Sequence, residues 1–515
     1  MAKYKPYSYK QGKFIPVDFE SQILPGTFEH TLHHLIDNEL DLSIFDERFR
    51  NDETGAPAYD PRIVLKIVLF AYSRGIVSSR KIARSCRENV VFMALSADTR
   101  PHFTTIADFI SGMDKEIIKL FLEVLLVCDA EGLIGREMFA IDGCKLPSNA
   151  AKEWSGTRAD FKRKAEKMEK AIAAMIIRHR ETDANPNDQD LVVREQKYIN
   201  TLNKHAKKVR EWLKDNDDKP GKGGTPIKSN ITDNESAKMK TAKGVIQGYV
   251  GVTSVDGKQQ VIVHAEAFGQ AQEHDLLLPM VEATCENFQS IGDENVFTDA
   301  KLTADSGFHT EKNMEKLFSN EIDAYVADTM FRKRDPRFAE SGRYKERHRK
   351  EQARLQGRSG LFKTDHFIFP EDLSHCICPA GKRLYRSGKN ANTKGFLSTR
   401  FKGAKRDCLP CLLRAQCLKK PDITECRQVA YFYGRTEKKK NSFTERMKQK
   451  IDSVTGRAIY GMRLAIGEPP FANIRHAIGL NRFTLRSKRK VNTQWNLFCI
   501  VHNLKKIQRY GVSYV

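Results

Sequence analysis

Hydrophobic positions recur along the chain with two different periods, and the switches between them divide it. Up to about residue 135 the spacing is helical. Pro61 can open a helix through IVLKIVLFAYSRG that stops at Gly75, and Ser78 or Ser79 can cap a second, SRKIARSCRENVVFMAL. Thr105 with Asp108 reads as a capping box for a third. EMFAIDGCKLPSNA then begins as an apolar strand and ends in a polar loop, which puts Asp142 in the C-terminal half of the strand. Helical spacing returns at Phe161, Ala165, Met168, Ile172 and Met175, a heptad seam. ETDANPNDQD interrupts it, and Tyr198, Leu202, Val209 and Leu213 mark a returning helix. An antiparallel helical hairpin over about 158–215 is therefore predicted between strands.

Past the linker DNDDKPGKGGTP, the period drops back to strands. VIQGYVGVTS and QQVIVHAEAF flank Asp256-Gly257, a hairpin signal. A helix around Asp275–Glu286, a strand ending in LTADSGF, a helix at EKNMEKLFSNE and a strand at IDAYVAD follow. Strands alternating with helices predict an α/β core. Asp305 stands at the second strand-to-loop exit. From Asn441 the chain is helical again, with Pro469-Pro470 as the expected stop, and an amphipathic helix, QWNLFCIVHNLKKIQ, closes the sequence. The pattern divides the chain into a helical region 1–135, a first core segment 136–330, an insertion 331–430, and a C-terminal core segment 431–515.

Charge sharpens this outline. The 515 residues carry 87 Lys and Arg against 65 Asp and Glu, a formal +22, which favours a polyanionic partner, nucleic acid before an anionic membrane. A spanning helix is excluded by pattern: the most apolar stretch, Glu116–Val127, is short and broken by Lys119 and Glu123. The first residues show no apolar core after their charges, so no signal peptide is read there. Residues 331–360 hold eleven basic side chains against four acids. Arg80, Lys81, Arg84 and Arg87 fit either a helix-turn-helix on DNA or a helical bundle with a solvated basic face. Six of the eleven cysteines crowd between Cys376 and Cys426. Cys378, Cys408, Cys411 and Cys417 form C-x29-C-x2-C-x5-C, which reads as a structural Zn2+ site or as buried thiols, with Cys376 and Cys426 as alternates.

The acids carry the candidate chemistry. An Asp at a strand exit commonly serves a turn or a helix cap. Asp142 and Asp305 share the same setting, an apolar strand before and a Gly within two residues after. Paired carboxylates suit a hard divalent ion, and two such ions can support phosphodiester cleavage. Tyr460, Arg463, Glu468 and Arg475 lie on one helical stretch, either as a surface ion-pair group or as oxygen ligands beside phosphate-holding cations. His264 and His274 read as structural, and no G-x4-GK[ST] loop supports a nucleotide cofactor.

Strand-Asp142, strand-Asp305 and Tyr460-x2-Arg463-x4-Glu468-x6-Arg475 resemble bacterial insertion-sequence transposases of the DDE class, in the group with a Y-R-E-K signature. FRKRDPRF and EPPFANIRHAIGLNRF are similar to segments of that group, and the resemblance runs from about Tyr59 to the C-terminus. Two features depart from the signature: Arg and Glu are separated by four residues instead of three, and its Lys is Arg475. The resemblance implies an RNase H-like mixed sheet core with an N-terminal helical DNA-binding domain and inserted helical and Cys-rich basic segments. It implies Asp142, Asp305 and Glu468 as catalytic residues and ligands of two Mg2+ or Mn2+ ions, in an enzyme that cuts transposon ends and joins them to target DNA. Tyr460, Arg463, Arg475, Arg482, Lys438, Lys439 and Lys440, with Arg80, Lys81 and Arg84, are the expected DNA contacts. The implied partners are double-stranded DNA, as terminal inverted repeats and target, and a second copy of the chain on paired ends. The implied location is the bacterial cytoplasm, at the nucleoid. Two rivals remain at this stage, a domesticated DNA-binding protein that keeps the fold and a two-metal nuclease that does not join.

Overall fold

A computed structural model describes residues 16–49, 57–182, 189–221, 224–242, 244–338, 361–393, 396–433 and 442–512. Lys438, Lys439 and Lys440, and most of the basic run 331–360, lie outside the described residues. The chain forms two compact units, Met1–Ala327 with Val454–Val515, and Asp328–Ser453.

The first unit is built on a mixed sheet of six strands: β1 (Met138–Pro147), β2 (Ala237–Thr241), β3 (Gly244–Asp256), β4 (Ile262–Phe268), β5 (Lys301–Ala304) and β6 (Asp323–Val326). The order is β2-β3-β1-β5-β6, with β4 also on β3. β3 pairs antiparallel with β1, β2 and β4, whereas β1, β5 and β6 run parallel. The predicted hairpin at Asp256-Gly257 is present. Asp256 is buried there because three backbone N–H groups, of Gly135, Arg136 and Lys258, donate to its carboxylate.

The C-terminal helix, Lys488–Tyr510, seals this sheet. Its side chains complete the backbone bonding of β4, a strand with one open edge. Asn503 accepts from the Ile262 N–H at 2.9 Å and donates to the Ile262 carbonyl at 2.8 Å, and Asn492 accepts from the Ala267 N–H. Trp495 lies flat over Gly251, where a Cβ would stand 3.0 Å from the indole. The amphipathic reading of this helix is corrected: residues 493–504 are buried on all sides. The reason is that its other face carries the N-terminal helices, as in the stack of Tyr72 on Phe498 at 4.6 Å.

Those N-terminal helices depart from expectation at two boundaries. The stretch after Ser78 is two helices, Ser79–Glu88 and Val90–Leu95, because Asn89 takes an extended conformation and its side chain accepts from the Val91 and Phe92 N–H groups. The next helix begins at Phe103, capped by His102, so Thr105 and Asp108 lie within it instead of forming a capping box. The apolar stretch 116–127 lies within the helix Asp114–Ala130, whose buried face includes Ile117, Leu120, Phe121, Val124 and Leu125, while Ile118 and Leu126 are exposed. Among the described residues no helix is long and apolar enough to cross a membrane.

The hairpin is two helices, Arg158–Thr182 and Gln189–Asp215, closed on a small core of Phe161, Ala165, Val209, Trp212 and Ile231. Its return seam uses buried Ile199, while Tyr198, placed in the seam by sequence, is exposed.

The second unit holds an antiparallel sheet of four strands, β7 (His375–Ile377), β8 (Arg383–Thr393), β9 (Phe396–Gly403) and β10 (Gln428–Phe432), in the order β10-β9-β8-β7. Its C-terminal limit lies beyond residue 430. β10 is part of the sheet, and Asp452, ending the helix Phe443–Asp452, pairs with Arg334 at 2.7 Å.

Candidate active site

Parallel pairing of β1 with β5 sets Ile141 opposite Ala304, so the next residues, Asp142 still within β1 and Asp305 just past the end of β5, stand side by side. Neither acid is adjacent to the other in sequence; the register alone brings them together. Over them crosses the helix Val454–Ala472. Gly467 is its point of closest approach, with room for a Cβ only 3.4 Å from the Asp142 Cβ. One turn earlier, Arg463 is buried and spans both acids: its Nη1 donates to Asp142 Oδ2 at 2.8 Å, and its Nη2 is 3.6 Å from Asp305 Oδ1. The guanidinium packs beside the Tyr460 ring at 5.6 Å.

The expected stop at Pro469-Pro470 is corrected. The helix continues through both prolines to Ala472 and passes into a π-helical turn, Asn473–Ala477. Proline at 469 cannot donate to the Ala465 carbonyl one turn back. The Gln260 side chain donates to that carbonyl instead, at 3.1 Å, so the lost bond is replaced from outside the helix. Glu468 is consequently an exposed residue inside the helix, one residue after the Gly467 that packs on Asp142.

A fourth acid, Glu273, belongs to the same group. It lies after β4, with an oxygen against Gly307, where a Cβ would stand 2.8 Å away, and 3.7 Å from Lys145 of β1. Burial pushes the Asp142 carboxyl up to about 6, Arg463 and the Gly143 N–H oppose the rise, and Asp305 and Glu273 add to it. Burial also raises Glu273, with Lys145 opposing and Asp305 reinforcing. Burial would lower Arg463, but Asp142, Tyr460 and Asp305 keep it above its ordinary value. Sequence reading missed Glu273. Its only signal was an acid beside His274 after a core strand, which no spacing ties to Asp142.

The structure brings Asp142, Asp305, Arg463 and Tyr460 together, with Gly467 packed on Asp142; Glu468, the third predicted acid, is exposed on the same helix with no contact to the two aspartates shown. Arg475, in the π-helical turn, lies near enough to Cys144 on the same face of β1 to act on it electrostatically. Arg482 donates to the Ser148 carbonyl at 3.0 Å and so holds the loop after β1. Arg80, Lys81 and Arg84 are exposed on Ser79–Glu88; Arg80 lies over Phe103 and Arg84 pairs with Glu88. His264 is half-buried, its Nδ1 3.2 Å from the Asn287 amide; His274 is exposed, its Nδ1 against the Gly307 carbonyl.

Among the described residues no three His, Cys, Asp or Glu side chains are set as a metal cage. The chemistry of the donors nevertheless fits a hard divalent ion: two carboxylates side by side, a third, Glu273, close by, and one carboxyl whose ionised form is favoured by a neighbouring cation and one backbone N–H.

Comparison with known proteins first defines the class. Residues 377–508 match the family described as transposase DDE domain, and residues 17–112 match the family described as transposase domain (DUF772). Both indicate DNA transposase function and, with it, DNA as the substrate. More particularly, the two matches support an insertion-sequence DDE transposase, the group that the Tyr460-Arg463-Glu468-Arg475 pattern resembles, and its DDE domain is RNase H-like. The first match contains Glu468 and Arg475 and all four cysteines from Cys378 to Cys417. No curated protein matches the chain.

Proposed function

We propose that this chain cuts DNA at the ends of a mobile element and transfers the freed ends to target DNA. The observation that carries the proposal is the pair Asp142 and Asp305, set side by side by strand register under the helix bearing Arg463 and Glu468. In the first step the oxygen of a water molecule bonds to the scissile phosphorus, the P–O3′ bond breaks, and the 3′-oxygen leaves with a proton. In the second, that 3′-hydroxyl attacks a target phosphorus, loses its proton, and releases a target 3′-hydroxyl. No outside oxidant, reductant or nucleotide is consumed.

Asp142, Asp305 and Glu468 would hold two divalent ions, Mg2+ or Mn2+, which when bound supply charge neutralisation and acidify water. Arg463, now tied to both aspartates, is positioned to exchange them for a DNA phosphate once they are otherwise neutralised. Tyr460, Arg475 and Arg482 line the approach as further DNA contacts, and Arg80, Lys81 and Arg84 offer a separate basic face for the terminal repeats. The reaction joins two ends, so two copies act on paired ends, at the nucleoid in the bacterial cytoplasm.

The test is an end-labelled cleavage and joining assay with DNA from the ends of the encoding element, Mg2+ and a target plasmid. Metal-dependent nicking at the boundary plus joined product, both lost in Asp142→Asn, is the expected result. Nicking without joining would make the protein a nuclease. Binding without nicking would make it a DNA-binding relic of the fold.

A further inference from the structure

The proposed reaction leaves the cysteine-rich unit unexplained, and among the described residues the buried apolar cluster of its sheet is small. Its buried apolar cluster consists of Phe367, Cys376, Leu384, Phe401 and Val429. Small units with so little buried surface are held by staples, most often a metal or disulfides. All eleven cysteines are free thiols.

The six clustered cysteines are sorted by the fold. Cys376 belongs to the apolar core, and Cys426 is buried near enough to Cys408 to act on it electrostatically but does not line the cavity that the other four share. Cys378, Cys408, Cys411 and Cys417, up to 39 residues apart in sequence, line one cavity of about 30 Å3. That is the room of about one water molecule. The four come from three separate local structures. Cys378 opens a tight turn in which Gly381, at φ +74°, donates to the Cys378 carbonyl and the Cys378 N–H donates to the Lys382 carbonyl. Cys408 ends the one-turn helix Lys405–Cys408, and Cys411 and Cys417 flank and end Arg414–Cys417.

Burial, reinforced by the neighbouring thiols, raises the Cys408 and Cys417 thiols above their ordinary value, and nearby donors and cations oppose that rise. The Arg427 backbone N–H points at the Cys408 sulfur, and its guanidinium lies beside Cys417. Lys382 and Arg414 also line the cavity, and Arg414 is fixed by donating to the carbonyls of Cys408, Pro421, Thr424 and Glu425. Four thiolates around one Zn2+ carry a net charge of −2, and these cations offset it. We propose that Cys378, Cys408, Cys411 and Cys417 bind a structural Zn2+ that staples Asp328–Ser453 together. The thiols share the cavity without being drawn into a cage, so binding releases their protons and pulls the three local structures onto the ion. The site is independent of Asp142 and Asp305, and it stands whether or not the proposed transposition chemistry does.

The full-length chain, purified without added metal, is analysed for zinc by mass spectrometry. One zinc per chain is expected, falling to near none in Cys408→Ser and Cys411→Ser and unchanged in Cys426→Ser and Asp142→Asn. Replacement by Co2+ should give the intense visible bands of a tetrahedral thiolate site. If the serine variants fail to fold, a mercurial titration of the wild-type chain decides, with four thiols modified per zinc released. Wild-type protein with no zinc and no cobalt–thiolate bands, zinc retained in Cys408→Ser and Cys411→Ser, or zinc release uncoupled from thiol modification would each overturn the site.

Discussion

Asp142 is pulled in opposite directions: burial and two neighbouring carboxylates favour its protonated form, and one guanidinium favours its charge. On the proposed two-metal reading, removing the charge should cost several kcal/mol of transition-state stabilisation. Asp142→Asn and Asp305→Asn are therefore each expected to lower the cleavage rate by at least about 10^3-fold while DNA binding persists. Retained cleavage in either variant would remove that acid from the site. The same residue shapes acid stability together with His502, whose proton affinity burial lowers to about 4 while Asn473 and the Gln260 carbonyl occupy its ring nitrogens. An unfolded histidine takes a proton near 6.5, the native one only near 4, so its stabilising contribution is complete above about 6.5 and is lost as pH falls toward 4. Between pH 7 and 5 this amounts to about 2 kcal/mol. Asp142 works the other way in the metal-free protein, because its raised carboxyl binds a proton on folding in the window from about 4 to 6. Chemical denaturation at both pH values should thus show a shallower acid loss in His502→Gln and a steeper one in Asp142→Asn.

At the scale of elements, the helix Val454–Ala472 survives two prolines because a residue from the β3–β4 connection completes its bonding. Gln260→Ala leaves the Ala465 carbonyl without its donor and should cost about 1 kcal/mol. Pro469→Ala, which restores an N–H to that carbonyl, should recover most of this in the double variant. Equal losses with and without Pro469 would rule out the repair. The C-terminal helix offers a larger effect. Asn503→Leu would strand both backbone groups of Ile262 in a dry interface, with an expected loss of about 2–4 kcal/mol, read by urea denaturation. Neither dependence could be read from the sequence. Pro469-Pro470 looked like a stop because propensity treats a helix as isolated, and Asn503 looked like one polar position in an amphipathic pattern. The hairpin was legible for the opposite reason. Its two helices bury their seams mainly on each other and the adjoining Trp154 and Ile231, so periodicity alone marked 158–215.

Across the whole molecule, the +22 charge makes an ionic prediction. If DNA is held through six or more phosphates, affinity should fall by about 10^3-fold or more between 50 and 200 mM salt. A fluorescence-anisotropy titration showing little change would detach the basic surfaces from DNA binding. Charge, periodicity and residue type are properties that each segment carries wherever it folds, and these the sequence determined by itself: a nucleic-acid partner, an α/β core, strand-exit aspartates 142 and 305, the signature around Glu468, and the four cysteines. Tertiary structure alone decided what those residues meet. Parallel register placed Asp142 beside Asp305, and the crossing helix set Arg463 between them and left Glu468 exposed. The fold brought Glu273 in from a loop with no marked spacing and left Cys376 and Cys426 out of the cavity that the other four thiols line. Such neighbours are chosen by strand pairing and packing between segments a hundred or more residues apart, and no local pattern encodes that geometry.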